Sequence, residues 1–189
     1  MKREDLIASV RAAMPEKRWK HTEGVMETAV LLANRFGGDP ERAELAAILH
    51  DVAKYWPTER MAETIREDGR STDVLDYDKE LWHAPAGAVA AERDYGVTDA
   101  EVLDAIRYHT SGREGMTLLE KIVWLADYIE PGRDFPGVHK IRELAEHSLE
   151  RALIAAMSGT IAFLLEKGKR VYPLTVMARN DLITREVGL

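Results

Sequence analysis

Apolar residues recur at helical spacing along nearly the whole chain, and glycine and proline interrupt them at intervals that fit short helices. That pattern leaves few choices of fold. Trp19 to Phe36 carries Val25, Ala29, Leu32 and Phe36 on one stripe, and Gly37 follows as a stop. Asp39-Pro40 reads as a cap followed by proline at the first helical position. The helix it opens is predicted to run to about Tyr55, with Pro57 closing it. Asp5 to about Met14, Thr58 to about Asp68 and Pro85 to about Tyr95 give three more, with Pro15 and Gly96 as stops. Thr98 with Glu101, and Thr117 with Glu120, have capping-box spacing. They start the helices that carry His109 and Asp127. Val138 to about Lys167 reads as one long helix or two in sequence. GRSTDVLDYDKEL reads as turn plus short helix, and the tail KRVYPLTVMARNDLI as extended or irregular. The expected fold is all-α, one domain over 1–189, mostly two layers of helices around one core. The chemistry-bearing motifs fall in 18–135, and 138–189 is a helical segment with an extended tail. An apolar face on the C-terminal helices serves either a homodimer or the core.

The 189 residues include no cysteine. Disulfides, thiolate metal sites and cysteine nucleophiles are therefore excluded. Any metal must be held by histidine and carboxylate, which suits iron, manganese, zinc and similar ions. The N-terminus MKREDLIASV lacks the long apolar region of a secretory signal, and no apolar run reaches transmembrane length. A soluble cytoplasmic protein with no membrane partner is expected. The net charge of -7 argues against binding a nucleic-acid polymer. It leaves room for a small polyanion held by a metal and a few local cations.

The stretch AILHDVAK sets the chemical question. His50 and Asp51 follow an apolar run, ELAAIL, where a charge is costly unless something meets it. The same holds for Asp127 in IVWLAD. Adjacent helical residues point about 100° apart, so both members of the pair serve one site only if it lies between them. His21, His83 and His109 come from other segments and complete a possible nitrogen and oxygen cage. Each residue also has a plainer reading: His21 as a capping or core histidine, Asp51 as the partner of Lys54, Asp127 as the partner of an arginine. His139 and His147 read as surface or core histidines.

The ordered set His21, His50-Asp51, His83, His109 and Asp127 resembles the HD-domain superfamily of metal-dependent phosphohydrolases. The stretches RWKHTEGVMETA, AAILHDVAK, ELWHAPAGA and AIRYHTSGREGMTLLEKIVWLADYIEPGRDFPGV are similar to the YqeK-type branch, whose members are symmetrical diadenosine tetraphosphate hydrolases. The resemblance covers nearly the whole chain and implies the HD-domain helical fold. It implies that His21, His50, Asp51 and Asp127 ligate metal, and that His83 and His109 either ligate a second ion or lie against substrate phosphates. It implies iron as the natural ion, one or two per site, with Mn, Co, Zn, Ni or Mg as possible substitutes. The implied reaction cuts diadenosine tetraphosphate at its central bridge to give two ADP. Other HD reactions, nucleotidase or cyclic phosphodiesterase, stay open, as does a nucleotide-binding module with little turnover.

Around that set, Lys54 lies one helical turn after His50 and is expected to contact phosphate, alongside Asp51, His83 and His109 as the catalytic group. Arg133 and Arg18 are further candidate phosphate contacts. Thr110, Ser111 and Gly112 offer hydroxyl and backbone donors near His109. Trp56, Tyr108, Tyr128, Phe135 and Tyr172 are available to adenosine, and the segment from Arg170 through Tyr172 to Thr175 is expected to close over the base.

Overall fold

The chain's stop signals become helix ends in its computed structural model, which describes residues 2–187, the side chain of 187 excepted. Ten α-helices follow one another among the described residues. They are α1 (Arg3–Ala12), α2 (Glu16–Phe36), α3 (Pro40–Leu49), α4 (Thr58–Asp68) and α5 (His83–Arg93). Then come α6 (Ala100–Arg107), α7 (Leu118–Ile129), α8 (Val138–Ala145), α9 (Leu149–Glu166) and α10 (Pro173–Val187). Two 3-10 turns, Thr72–Asp76 and Lys79–Leu81, separate α4 from α5. Gly37 closes α2 with φ 75°, a conformation that glycine adopts without steric cost. The Asp39 carboxylate caps α3, accepting from the backbone of Glu41 and Arg42.

α2 lies along α3 and α7, α6 packs on α3, α5 and α7, and α9 lies against α7, α8 and α10. Their apolar stripes meet in one large core that includes Trp19, Leu32, Ile48, Ile106, Ile122, Leu125, Leu153 and Met157. A smaller cluster under α4 and the 3-10 turns gathers Met61, Ile65, Val74, Trp82 and Tyr172, and Trp56 touches both. At the C-terminal end of α9, Phe163 and Leu165 are exposed. No helix among the described residues is long and apolar enough to cross a membrane.

Three expectations need correction. The tail is not extended. Residues 173–187 form α10, with Pro173 at the first position, where no N–H partner is needed. Thr175, Ala178 and Leu182 make a narrow buried stripe against α9. Two of those three are small or polar, which hid the helical period, and packing overrides the β-branched neighbours. The α3 helix stops at Leu49 rather than near Tyr55, and three-residue turns carry the chain from Leu49 to Trp56. Thr98 is not the cap of α6. Asp99 is, accepting from Glu101 and Val102, while Arg42 grips both Asp99 and Glu101. Of the two readings open for 138–167, two helices in sequence form, broken before Ser148, which caps α9. The Thr117 and Glu120 capping box forms as the spacing suggests.

Candidate metal centre

His50 and Asp51 sit just past the C-terminus of α3, His109 just past α6, and His83 at the start of α5. The last turn of a helix leaves carbonyls without intrahelical partners. Two of the imidazoles use them. His50 Nδ1 lies 2.6 Å from the Ala47 carbonyl and His109 Nδ1 lies 2.7 Å from the Ile106 carbonyl. A carbonyl only accepts, so each Nδ1 carries the proton and each Nε2 presents a lone pair. His21, on α2, is fixed in the same way by a carboxylate: its Nδ1 lies 3.0 Å from Glu130 Oε1.

These lone pairs converge on two carboxylates. Asp51 Oδ2 is 3.1 Å from His50 Nε2 and 3.7 Å from His21 Nε2. Asp127 Oδ1 is 3.0 Å from His21 Nε2 and 3.9 Å from His50 Nε2. The other Asp51 oxygen faces the opposite way, 3.0 Å from His83 Nε2 and 3.9 Å from His109 Nε2. Asp51 therefore stands between two donor groups, His21–His50–Asp51 and Asp51–His83–His109. His50, Asp51, His83 and His109 are all buried.

The electrostatics follow from this crowding. Burial raises the cost of charge on Asp51, yet His50 and His83 hold its carboxyl well below the ordinary range. Burial likewise opposes the Asp127 charge, and His21 and Arg133 overcome it, so that carboxyl is also held low. Burial, together with His83 and His50, pushes His109 down to about 3, so it is neutral. Burial works against a charged His50, but Asp51 and Asp127 outweigh it and raise its pKa. A carboxylate pair that draws a proton to His50 also draws a metal cation there.

The residues fit a metal. His21 Nε2 and His50 Nε2 are buried polar atoms with no hydrogen-bond partner, facing anionic oxygens that cannot donate to them. Nitrogen and carboxylate donors of this kind suit first-row transition metals. His83 differs from the others. Its Nδ1 lies 3.4 Å from the Lys54 ammonium and its Nε2 lies 3.1 Å from His109 Nε2, so its proton belongs on Nε2, donated to the His109 lone pair.

Cations ring the cluster. Arg18 Nη1 is 2.8 Å from Asp51 Oδ2, and Arg133 Nη2 is 2.6 Å from Asp127 Oδ1. Asp127 thus has both its readings at once, cluster member and arginine partner. The partner of Asp51 is Arg18 rather than Lys54. Lys54 instead meets the exposed Glu80 at 2.8 Å.

The other candidates have partners of their own. Gly112 spends its N–H on the Tyr108 carbonyl and packs against Met157 and Ala178. Ser111 is buried with its hydroxyl on the Gly112 carbonyl, and Thr110 lines a shallow cleft with Tyr108 and Tyr172. Arg170 holds the Asp76 carbonyl over the Tyr77 ring, Tyr172 donates to Asp73, and the Thr175 N–H bonds Tyr172. Arg170 and Tyr172 thus tie the stretch before α10 to the first 3-10 turn.

Glu130 escaped the sequence reading. It is buried, holds His21, and accepts from the Gly132 N–H. Its signal was available, because it follows the same apolar run as Asp127. Gly24 leaves room for it: a Cβ there would stand 2.6 Å from Glu130 Oε2. Replacing Glu130 by glutamine loosens the His21 ring and is expected to weaken metal affinity about 10- to 100-fold, read by competition with a chromogenic chelator. An unchanged affinity would remove Glu130 from the site.

The HD domain family model matches residues 18–132, the span that carries His21 through Glu130. A symmetrical bis(5'-nucleosyl)-tetraphosphatase of Bacillus subtilis (strain 168) is 50% identical over 184 residues, covering 97% of this chain and 99% of that protein. One from Staphylococcus aureus (strain NCTC 8325 / PS 47) is 43% identical over 169 residues, covering 88% and 87%. A crystal structure from Clostridium acetobutylicum, described as an HD superfamily hydrolase involved in NAD metabolism, superposes with a TM-score of 0.93 at 40% identity over 98% of both chains. The chain belongs to the HD-domain family, in the group whose relatives are named symmetrical bis(5'-nucleosyl)-tetraphosphatase.

Proposed function

We propose that the chain is a cytoplasmic, metal-dependent hydrolase that cuts diadenosine tetraphosphate at its central bridge, releasing two ADP. The observation that carries this reading is Asp51, a buried carboxylate with one oxygen toward His21 and His50 and the other toward His83 and His109. Relatives of that name at 50% and 43% identity supply the substrate class. His21, His50, Asp51 and Asp127 would hold one ion, and Asp51, His83 and His109 a second, with His83 then giving up its Nε2 proton, iron being the proposed metal. Bound there, such ions supply an activated water at neutral pH and positive charge against phosphoryl oxygens.

The remaining work falls to the chain. Asp51 has both oxygens committed to the donor groups, so it positions rather than accepts a proton. The leaving group, ADP, is a stable anion and needs no strong general acid. What it needs is positive charge where negative charge spreads in the transition state. Lys54, whose ammonium lies 3.4 Å from His83 Nδ1, would supply it. Its tie to Glu80 is a weak surface pair, Glu80 being 76% exposed, and the ammonium can exchange that partner for a phosphate. Arg133 keeps Nη1 for the mouth of the site while its Nε and Nη2 hold the Asp127 carbonyl and carboxylate.

Removing the Lys54 charge as Lys54→Met is expected to lower kcat/KM about 10²-fold with metal content unchanged. Equal kcat/KM would take Lys54 out of the reaction. The reading itself is tested by product analysis. Iron- or manganese-loaded protein incubated with diadenosine tetraphosphate should yield ADP alone. AMP plus ATP would overturn symmetrical cleavage, and turnover confined to monophosphates or cyclic nucleotides would overturn the substrate.

A further inference from the structure

A cavity of about 690 Å³ opens directly onto the metal-type cluster, with His21, Arg18 and Glu130 in its wall. That size falls within the range of small-molecule sites, about 300–1,000 Å³. Its other walls come from α2 and from the loop after α7. Lys17, Lys20, His21 and Gly24 are spaced along one face of α2, so the lysines share the face that carries His21.

Charge along this face is divided. Lys17, Arg18 and Lys20 precede or adjoin His21, and Glu23 and Glu27 follow it. Lys17 and Lys20 are exposed and make no ion pair among the described residues. Arg133 adds a third cation from across the cavity. Arg18 and Arg133 are spent on Asp51 and Asp127, so the uncommitted positive charge here is that of Lys17 and Lys20, beside the candidate site of a chain of net charge -7.

An aromatic ring stands at the same end. Tyr55 lines the cavity, lies beside Arg18, and is 53% exposed. Other aromatics near the site already have partners. Trp56 lies under Arg60, Tyr108 under Arg113, Tyr172 against Tyr77, and Tyr128 between Trp124 and Phe135. No ring or guanidinium covers Tyr55 among the described residues. An uncovered ring beside unpaired lysines is the chemistry of a nucleotide seat, since every base offers a π-face and its phosphates seek cations.

We infer that this cavity seats one nucleoside diphosphate half of the substrate, with Tyr55 stacking on the base and Lys17 and Lys20 contacting the phosphates farthest from the cluster. The inference rests on the dinucleotide reading above and deepens it. The lysines then measure the phosphate chain: a substrate that is too short reaches the cluster or the lysines, but not both.

The test titrates metal-loaded protein with ADP by calorimetry and measures KM for diadenosine tetraphosphate on the same preparations. Tyr55→Ala and the double change Lys17→Gln with Lys20→Gln should each weaken ADP binding and raise KM about 10- to 100-fold, with bound metal unchanged. Tyr55→Phe, which keeps the ring and drops the hydroxyl, should retain wild-type binding. Unchanged ADP affinity in both Tyr55→Ala and the lysine variant would overturn the assignment, as would wild-type protein that binds no ADP. Weakened ADP binding in a protein that does not cleave the dinucleotide would uphold the seat and overturn the proposed substrate alone.

Discussion

Changing Asp51 to asparagine should abolish hydrolysis, by about 10³-fold or more, while the helical fold survives. The reason lies in what its two oxygens face. Each meets imidazole nitrogens of a different donor group. An amide removes the negative charge that both groups share. Its NH2 also supplies protons to lone pairs that otherwise await a cation. The metal-free protein should therefore fold as well as before, with unchanged far-ultraviolet circular dichroism. What it should lose is stoichiometric metal after dialysis, and with it turnover. His147→Ala is a fair control, because His147 lies outside the cluster. Full activity in Asp51→Asn would mean that the chemistry lies elsewhere.

The second large effect concerns stability rather than catalysis. Arg107 is 2% exposed and reaches Asp68 at 2.7 Å, with Arg70 holding the other carboxylate oxygen at 2.6 Å. Two of the Arg107 nitrogens are already buried without partners. Asp68→Asn leaves that guanidinium without its close counter-ion and should cost about 3–5 kcal/mol, read from urea unfolding. The effect should depend on pH in a definite direction. Burial pushes the Asp68 carboxyl up, but Arg70 and Arg107 outweigh it and hold its pKa below the ordinary value. A carboxylate depressed in the folded state adds stability above its unfolded pKa of about 3.9 and loses it as pH falls through the folded value. The gap between wild type and Asp68→Asn should thus be full at neutral pH and shrink in strong acid. Replacing Arg107 by methionine in the same background should restore much of the loss. A gap that persists unchanged in acid would show that the pair is not its source.

The helices were legible where a cap or stop coincided with a clear apolar stripe, as at Gly37, Asp39-Pro40 and the Thr117–Glu120 box. They were illegible where packing supplied the signal. The α10 stripe of Thr175, Ala178 and Leu182 gains its meaning only from α9. The end of α3 at Leu49 was hidden because the apolar run continues through Val52 and Ala53 into the turn. In the site, the charged residues of apolar stretches could be picked out, since burial of a charge needs a reason. The convergence of His21, His50, Asp51, His83, His109 and Asp127 depends on how five segments meet, which no local pattern encodes. Glu130 and Tyr55 were missed for opposite reasons. One acts through His21, and the other stands uncovered among the described residues.

The candidate ligands come from stretches far apart along the backbone: the middle of α2, the turn after α3, the start of α5, the turn after α6, and α7. An ion seated among them would do mechanically what a disulfide does elsewhere, tying distant stretches into closed loops and narrowing the freedom of the unfolded chain. This chain has no cysteine with which to make such ties. A chelator should then act on it as a reductant acts on a cross-linked protein, lowering the melting temperature as well as stopping the reaction.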